Sequence, residues 1–248
     1  MKVIDVHSHL GFDYVFQEDF RPEYLIEELE GQGVDTLITQ PATVLDLATA
    51  REQHDAVAAL AKRFPGRVYG MANPSPHLPE DVYRAEAERC VHELGFVGIK
   101  LNTTAHSVGV GLRPGRLVFQ VARELKVPVM VHTGSGVPWA LPSALLPVAR
   151  EFDDVKIVMA HSGAMIYAAE ALEVAINRPN VYLEVSWTPG HLVRRFCRAV
   201  GARRVMFGTD HADNCATELV KLRTAGLSDE ELEWCLGRTA AEVYSLPC

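Results

Sequence analysis

Cysteine is scarce in this 248-residue chain, and its few cysteines are arranged neither for a disulfide framework nor for a metal site. The five cysteines are far apart and include no Cys-x-x-Cys pair; they are Cys90, Cys197, Cys215, Cys235 and Cys248. An odd number of isolated thiols argues against a disulfide-stabilised secreted domain and against a cysteine zinc site. We therefore expect a reducing, cytoplasmic setting.

The chain also lacks the features of proteins that act at membranes or on nucleic acids. No uncharged run reaches membrane-spanning length, and the first residues enter a strand-like pattern without the apolar core of a signal peptide. The 24 Lys and Arg are outnumbered by 32 Asp and Glu, and they are scattered rather than clustered. These features predict no membrane and no nucleic-acid partner, but a small-molecule substrate. A homo-oligomer is left open.

Short apolar runs, separated by helical patterns, are what the chain has in abundance. Eight runs rich in β-branched residues occupy 3–6, 34–39, 67–71, 96–101, 127–131, 155–160, 181–186 and 203–208. Helical patterns occupy 22–31, 47–64, 79–94, 116–125, 142–152 and 164–176, and further helices are predicted after Thr188-Pro189 and from Ser228.

This alternation predicts a parallel sheet covered by helices. Eight strand–helix units predict closure into a distorted (β/α)8 TIM barrel of the α/β class, with a C-terminal helical extension. A doubly wound open sheet is the structural alternative. No linker rich in Gly, Ser or Pro divides the chain, so we predict one domain over residues 1–248.

Metal-binding side chains stand where several of these runs end. The first run continues into His7-Ser8-His9, and side chains two apart on an extended strand face the same way. Neutral imidazole is the commonest metal ligand, so this pair supplies half of a coordination sphere. Later runs end in the same manner, at His132, at His161, and at Asp210 with His211. Because parallel strands bring their C-terminal ends to one face of a barrel, these groups are expected to converge.

The order H-x-H, V-H-T-G, A-H-S-G and F-G-T-D resembles the amidohydrolase superfamily, particularly its amidohydrolase-related branch of metal-dependent TIM-barrel hydrolases and decarboxylases. The resemblance extends from His7 to Asp210. It implies a divalent metal, usually zinc, held by His7, His9, His132 and Asp210. It also implies that Asp210 accepts a proton, and that His161 either completes a second metal position or polarises the substrate.

Lys100, near the end of the fourth run, bears on the number of metal ions. Superfamily members with two metals use a carboxylated lysine on this strand as a bridge. The alternatives are an ammonium that binds a substrate carboxylate or a salt bridge to Glu184. Many relatives in this branch use one metal, so we expect one ion, with Lys100 in a substrate-binding or structural role. Asn102, Trp187 and His211 follow strand ends and are further candidates for substrate contacts.

The expected activity is hydrolysis of a small amide, ester or lactone by metal-activated water. Zinc lowers the pKa of bound water to about 7, and Asp210 is placed to take the proton. The alternative is non-oxidative decarboxylation of a small carboxylated aromatic or muconate compound, as in aminocarboxymuconate-semialdehyde decarboxylase and its relatives. The chain is shorter than those decarboxylases usually are, which favours hydrolysis. A non-catalytic barrel that binds a metabolite is the third, least favoured interpretation.

Overall fold

Nine strands and ten α-helices make up the computed structural model, which describes residues 2–247. The strands are β1 (Ile4–Asp13), β2 (Glu18–Phe20), β3 (Thr36–Pro41), β4 (Val68–Ala72), β5 (Gly98–Leu101), β6 (Val129–His132), β7 (Ile157–Ala160), β8 (Val181–Glu184) and β9 (Val205–Met206). The helices are α1 (Pro22–Gly31), α2 (Leu47–Arg63), α3 (Glu80–His92), α4 (Arg113–Leu125), α5 (Leu145–Glu151), α6 (Ala168–Asn177), α7 (Gly190–Val200), α8 (Cys215–Arg223), α9 (Asp229–Glu233) and α10 (Thr239–Tyr244). Cys248, one of the five cysteines considered above, lies outside the described residues.

Eight of these strands are parallel and follow one another in chain order around a curved sheet, while β2 pairs antiparallel with β1 at its outer side. Backbone hydrogen bonds also connect the last strand region to the first. Val6 N donates to Phe207 O at 3.3 Å, and Asp210 N donates to His7 O at 2.6 Å. The predicted α/β TIM barrel is thus confirmed, and its chain-order strand sequence excludes the doubly wound alternative.

The C-terminal helices close the base of the barrel. Ala240, Val243 and Tyr244 of α10 belong to the same buried cluster as Ile4 and Val6 of β1. The predicted C-terminal helical extension is therefore present and covers the end of the barrel opposite the strand C-termini. None of the helices in residues 2–247 combines the length and apolar composition needed to cross a bilayer. The single domain over residues 1–248 stays a prediction.

A β-bulge in β1 sets the direction of the two histidines. The pairing of β1 with β3 shifts register between Asp5 and Ser8. Such a bulge lets two consecutive residues face the same side. Val6 therefore packs in the barrel interior with Met206, and His7 also faces inward at the mouth. Strict alternation from Val6 would have turned His7 outward.

Several predicted element boundaries differ from the structure. β1 continues to Asp13, so His7 and His9 lie within the strand rather than beyond its end, and β2 was not predicted. α4 begins three residues earlier than expected, at Arg113, because Pro114 occupies a favourable position in the first turn. α6 begins at Ala168 rather than at 164, because the residues at 164 and 165 have left-handed φ angles of 45° and 65°.

Candidate metal centre

Four histidines and one aspartate converge at the C-terminal ends of the barrel strands. Asp210 Oδ1 lies 3.2 Å from Nε2 of His7 and 3.2 Å from Nε2 of His9. His161 Nε2 lies 3.2 Å from His132 Nδ1, and the rings of His7 and His161 are 4.9 Å apart. The structure thus brings together all four of the predicted ligands and His161.

The backbone at two strand ends turns sharply to aim these side chains inward. His161 and Asp210 have left-handed φ angles of 63° and 64°, a conformation that His and Asp adopt more readily than most other non-glycine residues. Thr188 Oγ1 holds the first turn by donating to His161 O at 2.8 Å. The bond from Asp210 N to His7 O holds the second. Unusual backbone of this kind clusters at functional sites.

The ligand atoms of His7, His161 and Asp210 all lie within 4.8 Å of one another. His7 Nδ1 donates to the Glu184 carboxylate at 2.9 Å, so His7 Nε2 carries a lone pair. That lone pair faces the Asp210 carboxylate at 3.2 Å with no proton between them. Two acceptors in such an arrangement repel each other unless a cation lies nearby, and in this structure that cation is the Lys100 ammonium, 2.6 Å from His7 Nε2.

Two buried imidazole nitrogens indicate that the group is suited to a metal ion. His9 Nδ1 and His132 Nε2 have no hydrogen-bond partner among the described residues. Unpaired polar atoms in a protein interior are costly and require an explanation. Neutral imidazoles with one carboxylate are also a donor set that divalent zinc or manganese accepts. The residues present therefore fit a divalent metal ion.

The protonation states also suit metal binding. Burial lowers the pKa of His7 and His132 well below the usual range, and it lowers the pKa of His161 to about 4. Burial opposes ionisation of Asp210, but His161 and His7 nevertheless hold the pKa of Asp210 well below its usual range. The imidazoles are thus neutral and the carboxylate is ionised at neutral pH, as metal ligation requires.

Lys100 reaches the same group of side chains. Its Nζ lies 2.6 Å from His7 Nε2, and burial lowers its pKa to about 8. Within residues 2–247 no Lys100–Glu184 ion pair is formed, and Glu184 pairs with His7 instead. The salt-bridge interpretation of Lys100 is therefore wrong.

We call His7, His9, His132, His161 and Asp210 the donor group. A cavity of about 180 Å³ opens beside it. Its lining consists of His9, Asp13, Phe16, Glu18, Phe20, Asn102, His132, Asp210 and His211. Asn102 and His211, two of the four predicted substrate contacts, lie on this cavity. The amide of Asn102 is partly engaged by the neighbouring loops, since Nδ2 donates to Thr43 Oγ1 at 3.2 Å.

The other two predicted substrate contacts do not line the cavity. Lys100 Nζ lies 2.6 Å from His7 Nε2, and Trp187 donates its Nε1 hydrogen to Asp210 Oδ2 at 2.8 Å. Trp187 therefore orients the aspartate. Phe16 and Phe20 also line the cavity, and neither was among the predicted substrate contacts. The only available signal was two aromatic residues in a short segment without helical or strand periodicity.

A second buried group of His54, Glu86 and Cys90 has the residue types of a metal site. Its hydrogen bonds are already complete, however. His54 Nδ1 donates to Glu86 at 2.9 Å, and His54 Nε2 accepts from Asn73 N at 2.9 Å. Glu86 is also bonded by Arg89. Because neither imidazole nitrogen is free, this group joins α2, α3 and the end of β4 and is structural.

The sequence matches the family model for amidohydrolases over residues 4–246. Similar solved structures include 2,6-dihydroxybenzoate decarboxylase from Rhizobium, with 16% identity, a TM-score of 0.76 and coverage of 99% of both chains. A 5-carboxyvanillate decarboxylase from Novosphingobium aromaticivorans, in complex with manganese and 4-hydroxy-3-methoxy-5-nitrobenzoic acid, is 15% identical, with a TM-score of 0.80 and coverage of 99% of this chain and 96% of that one. A dihydroxybenzoic acid decarboxylase from Polaromonas, with bound manganese and the inhibitor 2-nitroresorcinol, is 18% identical, with a TM-score of 0.75 and coverage of 99% and 97%.

These comparisons correct the expected reaction. The similar structures just described are decarboxylases, so the prediction of a hydrolase acting on an amide, ester or lactone is wrong, and the decarboxylase alternative agrees better with the findings. Chain length does not separate this protein from those decarboxylases either, because this chain covers 96% or more of each of them. A divalent metal agrees with the comparisons, in which manganese rather than zinc is present.

Proposed function

The chain belongs to the amidohydrolase family, and on that basis we propose that it is a metal-dependent decarboxylase of a small carboxylated aromatic compound. One observation carries the proposal: the deprotonated donor group opens onto a cavity lined by the rings of Phe16 and Phe20. A flat aromatic acid can pack against such rings. The similar structures that hold manganese together with aromatic ligands support the reaction class.

We propose that one metal ion is held by His7, His9, His132 and Asp210, with His161 close enough to join them. When bound, a divalent cation would act as a Lewis acid and polarise the substrate oxygens beside it. Zinc suits the imidazole-rich set, and manganese is supported by the two similar structures that contain it. The free, buried thiols among residues 2–247 support a cytoplasmic location.

Asp210 is the residue we assign to proton transfer. Non-oxidative decarboxylation forms a C–H bond at the ring carbon that carries the carboxylate, and then breaks the C–C bond so that carbon dioxide leaves and its bonding electrons return to the ring. Asp210 is ionised and faces the cavity. It can therefore take a proton from a ring hydroxyl of the substrate and deliver that proton to the ring carbon. Trp187 holds the carboxylate in place during both transfers.

Lys100 does not line the cavity while it is hydrogen-bonded to His7, and it is the cation that we assign to the substrate carboxylate once that bond is released. In the structure its ammonium donates to the lone pair of His7 Nε2, the same lone pair that a metal ion would use. Occupation of that lone pair would free the ammonium. A buried ammonium is a strong partner for a carboxylate because charge-assisted hydrogen bonds are strengthened away from water.

The experiment is an assay of carbon dioxide release by protein loaded with Mn²⁺ or Zn²⁺, with 2,6-dihydroxybenzoate and 5-carboxyvanillate as trial substrates. We expect release from at least one of these acids. Asp210→Asn should reduce the rate about 10²-fold or more while circular dichroism shows an intact fold. Absence of release from both acids, or an unchanged rate in the Asp210 variant, would contradict the proposal.

A further inference from the structure

Glu184 is a fully buried carboxylate behind the donor group and is neither a predicted ligand nor part of the cavity lining. It is the last residue of β8, and Ser186 follows two residues later. We propose that Glu184 and Ser186 form a positioning relay that fixes the tautomers of His7 and His161. The inference rests on the proposed metal site, but its first measurement does not require a metal or a substrate.

Four hydrogen-bond donors converge on the Glu184 carboxylate. Oε2 accepts from His7 Nδ1, from His161 N and from Ser186 Oγ, each at 2.9 Å. Oε1 accepts from Ser186 N at 2.5 Å. Main-chain N–H groups can only donate, so both oxygens of Glu184 act as acceptors here, and the His7 and Ser186 groups that contact Oε2 supply their protons to it.

The tautomer of His7 follows directly from its hydrogen bond to Glu184. Nδ1 carries the proton given to Glu184, so Nε2 carries the lone pair that faces Asp210. Carboxylates that accept from the far nitrogen of a metal-binding histidine hold the ring in place and raise its basicity. Glu184 therefore prepares His7 as a ligand.

The tautomer of His161 follows through Ser186. Because the Ser186 hydroxyl gives its only proton to Glu184, its oxygen can only accept from His161 Nδ1, which lies 2.8 Å away. His161 Nδ1 is therefore protonated, and Nε2 carries the lone pair. The rings of His7 and His161 lie 4.9 Å apart, so one carboxylate directs two imidazole lone pairs into the same space.

Ser186→Ala is the variant that separates this relay from ordinary packing, and Ser162→Ala is its matched control. Ser162 Oγ also makes one buried hydrogen bond, to the main-chain oxygen of Glu184 at 2.8 Å, but among the described residues it is hydrogen-bonded to neither imidazole. Both variants thus lose a buried hydroxyl beside the same residue. Only Ser186→Ala removes the acceptor of the His161 Nδ1 hydrogen.

Nitrogen NMR of the histidine rings in the metal-free protein reads the tautomers directly. We expect His161 to carry its proton on Nδ1 in the wild-type protein and in Ser162→Ala, but to become a mixture of tautomers in Ser186→Ala. Titration with Mn²⁺ should show about 10- to 100-fold weaker binding in Ser186→Ala, and binding within about twofold of wild type in Ser162→Ala.

Three results would overturn the inference. They are a wild-type His161 protonated on Nε2, an unchanged His161 tautomer in Ser186→Ala, and equal losses of Mn²⁺ affinity in the two serine variants. The first of these is decided on the wild-type protein, even if a variant does not fold. If the protein releases no carbon dioxide from any acid, the proposed reaction fails, while these measurements still decide the relay.

Discussion

Gly208→Ala tests how closely the last strand region approaches the relay. A Cβ added at residue 208 would lie 2.6 Å from Glu184 Oε1, 2.8 Å from Glu184 Cδ and 2.9 Å from His7 Cβ. Comfortable separations between such atoms are about 3.5–4.0 Å, so the shortfall is roughly 1 Å at each contact. Glu184 cannot swing aside without breaking its bonds to His7 and Ser186. The substitution must therefore displace the histidine, the carboxylate or the strand itself.

The size of the effect follows from the cost of inserting a methyl group into a packed interior, about 1–3 kcal/mol. In a chain of this size, about 1 kcal/mol corresponds to roughly 2–4 °C in the melting temperature. We therefore expect Gly208→Ala to melt about 2–12 °C lower than wild type. Mn²⁺ affinity should also fall, because both His7 and the carboxylate that orients it are displaced.

The matched control is Gly111→Ala, because a Cβ at residue 111 would meet nothing within 4 Å. This change should be neutral or stabilise by up to about 1 kcal/mol through the reduced freedom of the unfolded chain. Thermal unfolding of the metal-free proteins and titration with Mn²⁺ provide the two measurements. The reasoning would be refuted if the two alanine variants melted together and bound Mn²⁺ equally well.

Two further predictions concern buried ionisable groups outside and inside the donor group. Burial lowers the pKa of His106 from 6.5 to about 4. Between these two pH values the unfolded chain binds a proton that the folded chain does not. The free energy of unfolding therefore decreases as the pH is lowered, by at most about 3 kcal/mol in total. Urea unfolding near pH 4.5 and near pH 7 should therefore show a smaller acid-induced loss in His106→Gln than in wild type, and an equal loss would argue against a buried neutral imidazole. Lys100→Met should retain one metal ion per chain and raise KM about 10-fold or more, because a charge-assisted hydrogen bond to the substrate is lost. A metal content that drops from two ions to one would show instead that Lys100 bridges two metals.

The barrel was predictable because its physical causes lie in the local sequence. Strands covered by helices on one side and by the barrel interior on the other must be apolar nearly throughout, and this is visible in segments such as 155–160. The site residues could also be located, because imidazoles and a carboxylate at strand ends such as His132 and Asp210 are unusual outside a functional site. Their mutual distances could not be predicted, since these depend on left-handed turns and on the bulge in β1.

The remaining features depend on contacts between distant residues. Ser186 and Glu184 looked like the end of an apolar run, and nothing local indicates that Ser186 accepts from His161, 25 residues away in the chain. Phe20 was missed because the short strand β2 pairs only through its backbone and has no periodic pattern. The reaction could not be predicted because hydrolysis and decarboxylation are compatible with the same ligands, and the cavity walls that discriminate between substrates come from loops.

The position of β2 has a consequence for how this protein could acquire new substrates. In residues 2–247, β2 occupies the outer end of the strand order and pairs with the far end of β1, beyond His9. Residues 14–20 could therefore be exchanged as one segment, which contains Phe16, Glu18 and Phe20. Such an exchange would remodel one wall of the cavity and leave the parallel ring intact, and because the Phe20 ring lies 5.1 Å from that of His9, residue 20 is where a change of substrate would also reach the donor group.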